Sequence, residues 1–272
     1  METLTSAALN NPPVVEVVIG IQFQPIAGFT SAHYGWFWKE SLESSWFKAV
    51  DAQRILDQNE KFGNEQEWVV PSLQLLAADN SDRIQFINST DDRVIQIQDN
   101  RFIYNWRKRG SGYPRFKELY PDFAEKLSKF REFIGRAGLP PIVPNQWEIT
   151  YVNQIPKGEL WETPQDWHKL LPTLYSRPLE SSTLIFESVT MEWHFEITPR
   201  RGRVHIHANH GKISQGGAKE ALLLNLTARG AVGSADPFVG VESGIRLGHA
   251  ILVETFTKLA SEDALNYWGA SQ

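Results

Sequence analysis

From Val189 to Asn209 polar and apolar residues alternate on both sides of a short linker, and that period of two constrains the fold more than any other feature. In SVTMEWHFEI, Val189, Met191, Trp193, Phe195 and Ile197 fall on one side, and Thr190, Glu192, His194 and Glu196 on the other. In RVHIHAN, Val204, Ile206 and Ala208 oppose Arg203, His205, His207 and Asn209. The connection TPRRGR carries Pro199 and Gly202, both turn residues. An antiparallel hairpin with one apolar and one polar face follows. Pairing Ile197 with Val204 sets Glu196 opposite His205, His194 opposite His207 and Glu192 opposite Asn209. A one-residue slip would drive the polar set into the core, whereas a two-residue slip keeps the faces and changes only the partners.

The same alternation recurs along the chain. VVEVVIGIQF (14–23) reads as a strand with Val15, Val17, Ile19, Ile21 and Phe23 on its apolar face. An aromatic-rich helix is predicted over roughly 34–52, then a polar loop over 59–67. RIQFIN, VIQIQ and RFIYNW follow as strands, the last two joined by Asp99-Asn100, a two-residue hairpin signal. From near Pro114, Phe116, Leu119, Tyr120, Phe123, Leu127, Phe130 and Ile134 form an apolar stripe at helical spacing. After Pro140-Pro141 the order repeats: QWEITYVNQI, a short helix near 164–171, three strands ending in ALLLNLTA, and a helix over about 241–259. The expected architecture is α+β, in two similar halves, 1–141 and 142–272. Each half is an antiparallel sheet of about four strands packed on helices, an arrangement that suggests internal duplication, with the two halves closely packed as one unit.

Composition narrows the function. The chain is 42% hydrophobic and 22% charged, ordinary for a folded domain, and a net charge of −5 argues against a surface that is one nucleic-acid footprint. Without cysteine there is no thiolate nucleophile and no Cys-based zinc site. The first residues lack a basic-then-apolar leader and no run is long enough to span a bilayer, so a cytoplasmic protein without a membrane partner is expected.

Three residue sets are candidates for chemistry. His194, His205, His207 and Glu196 share the hairpin's polar face and have the donor types of a two-His-one-carboxylate metal site; no other cofactor is indicated. The plain alternative is that this face simply meets solvent, which is the expectation adopted. Arg107, Lys108 and Arg109, with Arg200, Arg201 and Arg203, form two basic loops, the first among aromatics, as phosphate contact and base stacking require. GVESG at 240–244 has its serine one position too late for a nucleophile elbow, and Ser243 reads as the start of the last helix. His249 reads as an anchoring histidine of that helix.

The run VIQIQDNRFIYNW followed by YPRF, with PPVVEVVIGIQF, YVNQI and LGHAILVETF…YWG, resembles a sporadically distributed family of uncharacterised bacterial proteins. The likeness covers nearly the whole chain and implies no activity or catalytic residue. It directs attention to Gln98, Asn105, Trp106 and His249, and its patchy distribution suggests a mobile defence or toxin–antitoxin locus. With no enzyme motif in view, the leading expectation is a binding or accessory protein that engages a protein partner through an aromatic-rich surface between its halves. A metal-dependent hydrolase or nuclease and a nucleic-acid-binding protein are the alternatives.

Overall fold

A computed structural model of the protein describes residues 9–63, 83–110, 112–174, 183–213 and 219–270. The leader reading at residues 1–8 and the end of the expected 59–67 loop lie outside the described residues. Among these residues nine strands form one antiparallel sheet: β1 (Val14–Phe23), β2 (Trp46–Ala52), β3 (Arg83–Asn88), β4 (Arg93–Gln98), β5 (Arg101–Arg107), β6 (Pro144–Pro156), β7 (Thr190–Ile197), β8 (Gly202–Ile213) and β9 (Lys219–Ala231). Their order is β2-β3-β4-β5-β1-β6-β9-β8-β7. The helices are α1 (Ser31–Ser41), α2 (Phe116–Arg136), α3 (Trp167–Leu170), α4 (Pro237–Leu259) and α5 (Glu262–Tyr267).

This corrects the expectation of two four-stranded sheets. The first strands of the two halves, β1 and β6, pair with each other from Val14–Asn153 to Phe23–Pro144. Both are central, each with a neighbour on either side. The physical reason is the strand edge: Val17, Ile19, Ile21 and Phe23 are buried, and a strand this apolar at a free edge would leave a row of unpaired backbone groups beside them. Joining the halves satisfies those groups. The halves therefore meet through a continuous strand ladder, and on the helical side also through ring contacts such as Phe116 on His249.

The helix predicted over 34–52 also divides. α1 stops at Ser41, and Trp46–Ala52 pairs with β3 as an edge strand. Most of β2 is exposed, so its side chains carry no clear alternation, and backbone pairing decides its state.

The core lies on one face of the sheet. Phe130 of α2 meets Phe23, Phe37 and Phe102, tying α1 and α2 to the N-terminal strands. α4 approaches β6 closely through glycine: a Cβ at Gly244 would lie 2.2 Å from the Trp147 ring, and one at Gly248 would lie 2.8 Å from Ile149. That contact accounts for GVESG. Ser243 sits inside α4, whose cap is Asp236, its carboxylate accepting from the Phe238 amide at 2.9 Å. Among the described residues no helix is long and apolar enough to cross a membrane.

Candidate functional site

The opposite face of the sheet is polar, and residues 53–63 cross it. Gln98, Arg101, Gln22 and Gln146 stand side by side on β4, β5, β1 and β6. One step along the strands, Glu148 pairs with Arg229 and Arg229 with Arg203. The crossing segment begins at Gln53, whose carbonyl accepts from Arg83 of β3 at 2.7 Å, and reaches Lys61, whose carbonyl accepts from Arg203 of β8 at 2.9 Å. In sheet order that is six strand spacings, roughly 29 Å at ~4.8 Å each. Eight residue steps of ~3.4 Å cover about 27 Å, so the segment runs close to fully extended.

A chain crossing strands at a steep angle cannot join their ladders, because every strand beneath already uses its backbone groups on its neighbours. Side-chain amides, each with donor and acceptor, take over. Gln98 accepts from the Ile55 amide and donates to the Ile55 carbonyl, both at 3.0 Å. Gln22 accepts from the Gln58 amide at 3.2 Å and donates to Asn59 Oδ1 at 2.9 Å. Gln146 accepts from the Glu60 amide at 3.3 Å and donates to the Gln58 carbonyl. Buried Arg101 adds a bond to the Leu56 carbonyl at 2.8 Å.

The segment ends in a carboxylate socket. Arg203 and Arg229 face each other directly on β8 and β9, a like-charge pair that is unfavourable unless an anion sits between them. Glu60 is that anion, its side chain only 3% exposed. It pairs with Arg203, with Arg229 Nε at 2.8 Å and with His205 Nε2 at 2.7 Å. Arg229 also reaches Glu148 at 3.1 Å. Burial works to raise the Glu60 carboxyl, but the His205 hydrogen bond and the Arg229 charge outweigh it and hold the group at about 2. His205 Nε2 faces Glu60 Oε1 at 2.7 Å and Arg229 Nη2 at 3.1 Å, and its Nδ1 meets His194 Nδ1 at 2.9 Å. Burial, then the neighbouring His205, lowers His194 below its ordinary value.

The hairpin register is shifted by two residues from the expected one: His194 faces His205, Glu192 faces His207 and Ile197 faces Gly202. The faces are preserved. The shift shortens the loop between paired residues to 198–201 and adds the Glu196–Arg203 pair, which Gly202 permits by lying tight against Arg229. His194 and His205 come together beside Glu60. His207 lies one polar-face position further along, and Glu196 turns to accept from the Arg200 amide at 2.9 Å. Among the described residues no group of three or more His, Asp or Glu side chains is arranged to hold a metal ion. The Arg229 guanidinium, 3.1 Å from His205 Nε2, occupies the neighbourhood a cation would need. The face expected to be open is covered at Arg203 and half-covered at His205, and is open at Glu192 and Glu196.

The two basic loops do not form one surface. Arg107 lies level with Glu16 on β1, whereas the 198–201 turn lies beyond the opposite strand ends, level with Gln22 and further. Arg107 pairs with Glu16 at 3.3 Å and Arg109 with Asp91 at 2.8 Å, while Arg203 serves Glu60; Lys108, Arg200 and Arg201 remain at the loops. Asn105 donates to Glu16 at 2.7 Å and accepts from Gln96 at 2.8 Å, so it belongs to the same polar face. Trp106 is on the core face against Tyr113. His249 is also on that face, its Nδ1 2.8 Å from the Tyr151 hydroxyl, and burial followed by the Arg246 charge lowers it to about 4.

Glu60, Arg229, Gln22 and Gln146 escaped the sequence reading. The available signal was a polar residue closing each of several apolar strands, but their side-by-side placement depends on strand order. No protein-family model, curated protein or solved structure matches this chain.

Proposed function

We propose that the protein is a binding protein whose polar sheet face takes an extended, carboxylate-bearing segment of a protein partner, along the track that residues 53–63 occupy. The supporting observation is the way that segment is held: its main chain by glutamines, its one buried carboxylate by Arg203, His205 and Arg229. Recognition of main chain tolerates many sequences, and a charge-assisted socket adds selection for an acid at one position. The outermost described strand, β7, adds to the reading, since Trp193 and Phe195 stand 38% and 48% exposed on it, a combination typical of protein contact surfaces. The resemblance to the sporadically distributed bacterial family carries no activity into this reading.

The test replaces residues 53–63 by a flexible glycine–serine run of equal length in the full chain, freeing the track, and titrates a labelled peptide of sequence QRILDQNEKFG. Saturable binding is expected, about tenfold weaker when the peptide carries glutamine in place of its glutamate, as the loss of ~1.4 kcal/mol implies. The same loss is expected for Arg229→Gln. A folded variant that binds neither peptide, or both equally, overturns the proposal.

A further inference from the structure

On the helical side of the sheet, the end of β6, the preceding loop of α2 and one flank of α4 enclose a cavity of about 470 Å³. That is far larger than a packing void and within the range of small-molecule sites. Leu226, Leu252, Val253 and Phe256 give it an apolar wall. Its inner polar groups are the Tyr151 hydroxyl, the buried Asn153 amide, which donates to the Leu224 carbonyl at 3.0 Å, and His249, whose ring stacks on Phe116 at 4.0 Å and 11°. Arg115 and Lys117 contribute two cations, and among the described residues no Asp or Glu lines the space. Lys117 is exposed and Arg115 half-buried, which sets the positive charge at the rim, next to the start of α2. Arg115 is held there by donating to the Leu9 carbonyl at 2.8 Å.

We infer that this cavity binds an apolar monocarboxylic acid, its hydrocarbon part against Leu226, Leu252 and Phe256 and its carboxylate at Arg115 and Lys117. The orientation follows from charge. The inner end offers a neutral imidazole, a protonated phenol and the Asn153 amide but, among the described residues, no counter-ion, since burial lowers His249 to about 4 and raises Tyr151 well above its ordinary value. An anion placed there would be desolvated without compensation, whereas at the rim it meets two cations and water. The inference is independent of the polar face, which lies on the other side of the sheet.

Calorimetric titration of the full-length protein with decanoate tests it, with decan-1-ol as the uncharged control. Saturable decanoate binding is expected, weakened at least tenfold in Lys117→Gln and Arg115→Gln and abolished in Val253→Trp, which fills the cavity. Decan-1-ol is expected to bind at least tenfold more weakly than decanoate. Absence of saturable decanoate binding to the unaltered protein, equal affinity for decan-1-ol, or undiminished binding by both rim variants overturns the assignment. The rim variants keep the test decisive if Val253→Trp does not fold.

Discussion

Glu60 concentrates the site's electrostatics in one side chain. Its carboxyl is held at about 2 against an ordinary value of 4.5, so the folded state binds its proton less readily than the unfolded chain. Its contribution is therefore complete above pH 4.5 and disappears as pH falls towards 2, a span of about 3.5 kcal/mol at ~1.4 kcal/mol per unit. Glu60→Gln is expected to be less stable than the unaltered protein at neutral pH, with the gap closing between pH 4.5 and 2. Urea midpoints at several pH values measure it, and parallel pH profiles would count against the socket. At this scale the sequence was partly legible. Parity set His194 and His205 on one face, and they meet there beside Glu60. Their anionic partner comes from a segment 145 residues earlier in the chain, which no spacing rule connects to RVHIHAN.

Among elements, the crossing segment depends most on tertiary context. It has no strand ladder or helical repeat of its own and owes its conformation to glutamine side chains. Gln98→Ala removes both bonds to Ile55, and at ~1 kcal/mol each a loss of about 2 kcal/mol is expected. Because the amide and carbonyl of Ile55 lose their partners, hydrogen exchange is expected to quicken at Ile55 and its neighbours, with the strand amides little changed. Uniformly faster exchange over the sheet would point instead to general weakening. The hairpin shows the complementary case. Alternation decided which side chains of β7 and β8 face together, and the loop decided which of two face-preserving registers is adopted. β2 lacks alternation altogether, so only its pairing with β3 reveals it.

For the molecule as a whole, the continuous β1–β6 pairing means that neither half has a core bounded by its own strands. A single unfolding transition is expected, with calorimetric and van't Hoff enthalpies equal, and the separate pieces 1–141 and 142–272 are expected not to give dispersed amide spectra. Two resolved transitions would show that the halves fold independently.

The sequence by itself determined the α+β composition, the strands with clear alternation, the polar and apolar faces of β1, β7 and β8, the Asp99-Asn100 turn and the apolar stripe of α2. All of these depend on neighbours within a few residues, where the periods of strand and helix act. Tertiary structure alone decided that the two halves share one sheet, that Arg203 and Arg229 stand opposite each other, and that Glu60 lies between them. Strand order, register and burial are set by contacts between residues far apart in the chain, and a carboxylate socket exists only once those contacts have brought its charges together.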